Sequence, residues 1–282
     1  MPESTEYTCR NCGHRHTGLY CNECGEKVIL PSDRSVRKFI KNLVIAFTIV
    51  DSMFARTLWM VVRQPGKLSL EYVEGRRVPY IRPLSLFFVL NLLYFMLPRV
   101  QLFSSSFRTQ LFLTPYGEWI KEAAVRKMVS MGTDLTAFEL IYDDRSTSTA
   151  KIFIIAFVLI ATLPMPLIFR HAGRYFTDHA ALAIELASFN LALNALVLNF
   201  LAWGSTHLLT AAGSSLGGYI NEASLSSIVA LTNVYFLVSA TRTFYGQPLG
   251  PAVLRSLVML GWLFVSLQLY RFLLFWLTLA ML

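Results

Sequence analysis

Residues 179–203 read HAALAIELASFNLALNALVLNFLAW. The stretch holds no lysine or arginine and one carboxylate, Glu185, in an otherwise apolar run. About twenty such residues in a helix cross the ~30 Å hydrocarbon core of a bilayer. The polar residues do not share one side. At about 100° per residue, Asp178, Glu185, Ser188 and Asn199 fall on one face and His179, Asn190 and Asn194 on another. Lipid against either face would leave polar groups without partners. This helix is therefore expected at the middle of a bundle, enclosed by other helices.

The rest of the chain supplies those helices. Apolar runs at about 82–103, 151–169, 180–203, 225–243 and 252–279 predict five spans. The expected fold class is an all-α polytopic membrane protein with a small N-terminal zinc ribbon. Composition agrees: 55% of residues are hydrophobic and 15% charged, where soluble domains carry about 25% charged. Pro164 and Pro166 should kink or end the second span. The 104–150 connection balances its positive residues with Glu118, Glu122, Asp134, Glu139, Asp143 and Asp144. It reads as an outer-side loop carrying two short amphipathic helices, near 117–131 and 134–149.

Charge sets the expected orientation. Of the 25 Lys and Arg, 13 lie in residues 1–82; Arg170, Arg174, Arg242 and Arg255 flank later loops, and 204–224 has neither residue type. Positive loops stay in the cytosol. This places the N-terminus in the cytosol and the C-terminus outside, in a bacterial inner membrane. A basic segment beside apolar spans is more often a membrane anchor than a nucleic-acid site, and no nucleic-acid-binding signature accompanies it.

The N-terminus has its own chemistry. Cys9-x2-Cys12 and Cys21-x2-Cys24 are the only cysteines, each pair followed by glycine (Gly13, Gly25). Four thiolates match one closed, structural zinc site, which folds a segment too short for a core of its own. Two disulfides are the alternative in an oxidising compartment. His14 and His16 lie between the pairs and read as exposed loop residues.

Between ribbon and bundle, Val36, Ile40, Leu43, Phe47, Val50, Phe54, Leu58 and Val61 recur at helical spacing. They predict an interfacial amphipathic helix over 33–64, ended by Gln64-Pro65-Gly66. The expected divisions are thus 1–30 (ribbon), 33–64 (interfacial helix) and 65–282 (bundle).

The junction PGKLSLEYVEGRRVPYIRP, residues 65–83, is dense in charge. Arg76, Arg77 and Arg82 with Tyr80 can hold a phosphate-bearing headgroup, or can serve orientation alone. Glu185 is expected to pair with Arg242 or to act on a proton or ligand. Asn91, Asn190, Asn194, Asn199 and Asn233 are expected to bond between helices. His171, His179 and Glu185 do not converge as a metal trio, and no nucleophile motif is present.

These residues resemble a family. CRNCG and YCNECGE, then Pro65-Gly66, Tyr72, Gly75, Arg77, Tyr80 and Pro83, and then a five-span bundle, are similar to the bacterial domain-of-unknown-function family number 3667. The resemblance implies a zinc-ribbon membrane protein with no assigned activity. It also implies a third-span pattern HxxFxxHxxxF. His179 and Phe189 fit it, but Glu185 stands at the second histidine position.

Three classes of function follow. One is binding or transport of an anionic lipid or lipid-linked substrate. Another is a non-enzymatic scaffold whose ribbon docks a cytosolic protein partner. The third is an intramembrane enzyme using Glu185 and His179.

Overall fold

The computed structural model describes residues 6–25, 28, 52–96, 106–112, 114–211 and 222–282. The chain divides into two compact units, Met1–Ser52 and Met53–Leu282. In the first, β1 (Glu6–Thr8) pairs antiparallel with β2 (Arg15–Thr17). The part of the expected interfacial helix before residue 52 lies outside the described residues.

The second unit is helical. Its elements are α1 (52–63), α2 (Lys67–Val73), α3 (Pro83–Met96), α4 (Phe107–Phe112), α5 (Gly117–Ser130), α6 (Leu135–Thr162), α7 (Met165–Ile168), α8 (Phe176–Phe189), a π-helical segment (Asn190–Leu198), α9 (Asn199–Ala211), α10 (Glu222–Tyr245) and α11 (Leu249–Met281). Among the described residues, four helices are long and apolar enough to cross a membrane: Leu135–Ile168, Phe176–Ala211, Ser224–Tyr245 and Leu249–Met281. α3 is the shorter apolar helix in the place of the first predicted span.

The breaks fall where chemistry puts them. α1 ends at Gln64-Pro65-Gly66. α6 stops before Pro164, and Pro166 lies in the single turn of α7. Gly246 adopts φ +64 beyond α10, which frees the chain to reverse into α11.

One expectation changes. Residues 134–149 do not form a separate helix; they are the first half of α6. Nothing between Leu135 and Thr162 is glycine or proline. The hydroxyl of Thr149 in the Ser-Thr run is satisfied within the helix, on the Arg145 carbonyl at 2.8 Å. At about 1.5 Å per residue the helix is longer than a bilayer core is thick.

α6 and α11 run antiparallel. Arg145 donates to the Met281 carbonyl, Tyr270 packs with Ala150, and the Trp262 indole donates to the Ile160 carbonyl at 3.0 Å. The α8–π–α9 span sits at the centre, as its two polar faces required: 67% of its most apolar stretch is buried, against 28% in each of the other three. The main core gathers Val61, Leu68, Phe87, Leu90, Leu186, Phe189, Phe236 and Phe244. A second core at the far end of α11 joins Phe107, Phe138, Tyr142 and Phe275 in aromatic contacts of 5.2–5.8 Å.

Candidate functional site

In the ribbon, Gly13 and Gly25 take φ +74 and +73, and each donates its amide to the carbonyl of the first cysteine of its pair at 2.9 Å. These matched turns bring four sulfurs together, all within 4.8 Å of one another. Cys9 and Cys24 lie 3.4 Å apart, and Cys12 and Cys21 3.6 Å. A tetrahedral metal with bonds near 2.3 Å separates its sulfurs by about 3.8 Å, whereas a disulfide needs about 2.05 Å. The donor set therefore fits one metal ion, held by Cys9, Cys12, Cys21 and Cys24. His14 is exposed as expected, but His16 is not: it is buried on β2, opposite Tyr7. Strand pairing turns its ring inward, a placement that a loop reading of residues 14–16 could not supply.

The second site is built around Glu185, which is fully buried. Its carboxyl oxygens accept from the backbone amide of Gly66 (2.8 Å), the amide of Ser69 (2.7 Å) and the Ser69 hydroxyl (2.5 Å). These donors are the first turn of α2, whose leading amides have no partner within the helix. On the other side of the same turn, the Tyr235 hydroxyl of α10 donates to the Val62 and Arg63 carbonyls, both at 3.1 Å, at the end of α1. The Thr57 hydroxyl accepts from the Ile81 amide at 3.0 Å and so ties the end of this segment back to α1. The Pro65-Gly66 turn is thus wedged between two spans, its exposed carbonyls capped by one and its exposed amides by the other. Gly66 has φ +82, and a Cβ there would stand 2.9 Å from the Ala240 Cα. Only glycine meets both conditions.

Arg242 is not the partner of Glu185. α8 and α10 face each other in an antiparallel ladder. His179 meets Tyr245 (Nδ1 to hydroxyl, 2.6 Å), Gly66 bridges Glu185 and Ala240, Phe189 meets Phe236 (4.9 Å between rings) and Asn190 meets Asn233. Arg242 lies between the first two rungs, about one helical turn shallower than Glu185, and is exposed on α10. Backbone amides occupy the place the sequence assigned to its guanidinium. His179 and Glu185 also act apart: the imidazole is held by Tyr245, whose ring stacks on Phe169 at 3.8 Å.

Deeper still, Asn190 and Asn233 exchange two amide hydrogen bonds of 2.9 Å, Asn194 donates to Asn190, and Thr232 donates to Asn194. Asn91 donates to the Lys151 carbonyl of α6 at 3.1 Å. These are the expected interhelical bonds. Asn199 differs: its side-chain amide turns back to the Asn194 and Ala195 carbonyls of its own span, in the widened π segment.

Arg242 instead lines a groove of about 770 Å³ along α10. Val234, Tyr235 and Val238 form its deeper part; Ser239, Arg242, Thr243 and Gln247 form the part near the end of the helix. Among the described residues, Arg242 has no acidic partner.

Comparison with known proteins bears on the segment around Gly66. Residues 51–95 match the model of the family described as Protein of unknown function (DUF3667). No curated protein and no solved structure matches the chain. The match bears out the resemblance carried by Pro65–Pro83, while the cysteine pairs lie outside it. The segment that matches the DUF3667 model, residues 51–95, supplies α1, the wedged turn, α2 and nearly all of α3.

Its arginines are not equivalent. Arg76 is held by Glu71 and Glu74, and Lys67 also reaches Glu71 at 3.0 Å. The Arg76 guanidinium, then Lys67, holds the Glu71 carboxyl down at about 2. Arg77 folds over the Tyr72 ring at 4.4 Å and donates to the Tyr72 carbonyl. Arg82 is exposed, and Tyr80 is half-buried against the main core. Reading side-chain types missed Gly66, Ser69 and Tyr235. The one usable signal was Pro65-Gly66 followed by an apolar helical stretch, which marks a fresh helix N-terminus in need of an acceptor.

Proposed function

We propose that this membrane protein binds an anionic lipid in the groove along α10. The observation that carries this reading is the groove's own polarity. An apolar stretch at Val234, Tyr235 and Val238 leads to the exposed Arg242 with Thr243 and Gln247 at the helix end. An acyl chain matches the first part and a phosphate the second. Arg77 and Arg82 add exposed positive charge to the DUF3667 segment, whose turn touches the groove through Tyr235. Arg76 contributes less, since two carboxylates already engage it. The basic end is the cytosolic one in this reading, within a bacterial inner membrane, and the ribbon's metal is a structural zinc.

The test is native mass spectrometry of the purified protein from mixed anionic and zwitterionic lipid. Arg242→Gln should lower retained anionic lipid roughly fivefold, the worth of about 1 kcal/mol for one interfacial cation. Unchanged occupancy would remove the proposal.

A second reading rests on the ribbon. Leu19 and Tyr20 are exposed beside the metal cysteines, 44% and 59% accessible. A small folded head showing apolar side chains suits a soluble protein partner. Cys12→Ser should release the metal, measured as zinc per chain, and abolish co-purification of that partner, while the helical unit keeps its unfolding temperature.

A further inference from the structure

The end of the bundle away from the Arg242 groove holds a second cleft, of about 500 Å³, where α5 crosses the end of α11. α5 contributes Ala123, Arg126, Lys127 and Ser130; α11 contributes Trp276, Leu279 and Ala280. The two clefts lie at opposite ends of α11, because α10 turns into α11 at Gly246–Pro248 and this cleft is formed by its last turns.

Three features give the cleft a direction. Its floor is apolar and aromatic, from Trp276, Leu279 and Ala123. Its rim is cationic. Arg126 shares its charge with Glu122 at 2.9 Å on an exposed surface, and Lys127 is half-buried with no carboxylate partner among the described residues. An aromatic edge completes it: Trp119, 80% exposed, stands seven residues before Arg126 and so on the same face of α5. Indole rings beside Lys and Arg at the end of a long apolar helix are what a bilayer–water interface selects. The cations also sit near the C-terminus of α5, where the helix dipole favours positive charge.

We infer that this cleft is a second binding site for an anionic phospholipid, taken from the leaflet opposite the one that serves the Arg242 groove. The phosphate rests between Arg126 and Lys127, and the first part of an acyl chain lies over Trp276 and Leu279. The site is independent of the first, with no residue in common.

The experiment places the full chain in nanodiscs of phosphatidylcholine alone or mixed equally with phosphatidylglycerol, then counts retained lipids by native mass spectrometry. Wild type should retain phosphatidylglycerol in preference. R126Q/K127Q should weaken retention of one such lipid by roughly thirtyfold, about 1 kcal/mol for each of two interfacial cations. R126K/K127R, which keeps the charge, should restore it. Arg242→Gln should remove a different lipid, so the triple variant loses both and the two readings fail separately. Retention indifferent to headgroup charge, or a lipid count unchanged in R126Q/K127Q, would overturn the inference. Arg126 is exposed and Lys127 half-buried on α5, and an unchanged thermal transition checks that the double variant is folded.

Discussion

Two buried polar clusters follow one another along the central span, and they are built in opposite ways. At Glu185 the span offers an acceptor, and the donors come from the first turn of α2, 116 and 119 residues away in the chain. At Asn190 and Asn194 the partners are side chains and a carbonyl of the central span itself and of α10. The asparagine cluster needs only that the π-helical segment and α10 lie side by side. The Glu185 cluster needs a third element inserted between α8 and α10. One fastens helices to each other; the other fastens the DUF3667 segment to the bundle.

The sharpest way to break this comparison is at Glu185. Glu185→Ala leaves two buried amides and a hydroxyl without an acceptor, at about 1–3 kcal/mol each before relaxation. A loss of roughly 4 kcal/mol is expected, read as a fall in unfolding temperature in detergent. Gly66→Ala attacks the same rung from the other side and should cost roughly 3 kcal/mol, from the positive φ and the approach to Ala240. Both variants should also expose the 64–66 linkage to protease, since the fastening itself is lost. If Glu185→Ala unfolded no earlier than wild type, the wedge would not be what holds the segment.

Asn233→Leu tests the other cluster. It removes the reciprocal amide pair with Asn190 and replaces it with an apolar side chain of similar size. Interhelical hydrogen bonds in membranes average about 0.6 kcal/mol, up to about 2. The expected loss is about 1 kcal/mol, with protease resistance at 64–66 unchanged. Exposure of that linkage in Asn233→Leu would mean the two clusters are one cooperative unit.

The asymmetry also explains what could be read from the sequence. Apolar runs gave away each long helix, because bilayer thickness demands length. Polar groups on two faces of 179–203 placed that span at the centre. The cysteine spacing led directly to four sulfurs around one point. Asn91, Asn190, Asn194 and Asn233 were matched to neighbouring helices, because their bonding groups are in the side chain, whereas Asn199 bonds within its own span. The partner of Glu185 was misjudged because its donors are backbone amides, present at every residue and announced by none. Arg242 was the nearest cation in sequence logic, yet one turn of depth and a glycine wedge separate the two. The continuity of α6 was missed for a related reason. The acidic residues Glu139, Asp143 and Asp144 set 134–149 apart from the apolar run at 151–169, but no glycine or proline separates them, the hydroxyl of Thr149 bonds back to the preceding turn and the helix continues.

The smallest expected effect belongs to the rim of the DUF3667 segment, where Arg76 returns to Glu71 after the turn at Gly75, φ +86. This pair differs from Glu185 in kind: a charged partner, half in solvent, instead of buried amides. The guanidinium holds the Glu71 carboxyl at about 2, below its ordinary value of 4.5. A folded-state value below the unfolded one means that the pair stabilises fully above pH 4.5 and loses its contribution as pH falls toward 2. Because the Arg76 side chain is 54% exposed, solvent screens the pair and its contribution to stability is small. Glu71→Gln should therefore unfold slightly earlier than wild type at pH 7, and the gap should close between pH 4.5 and 2. A gap that persisted at pH 2 would assign the difference to packing of Glu71, which is buried, and would move this residue from the rim into the fastening itself.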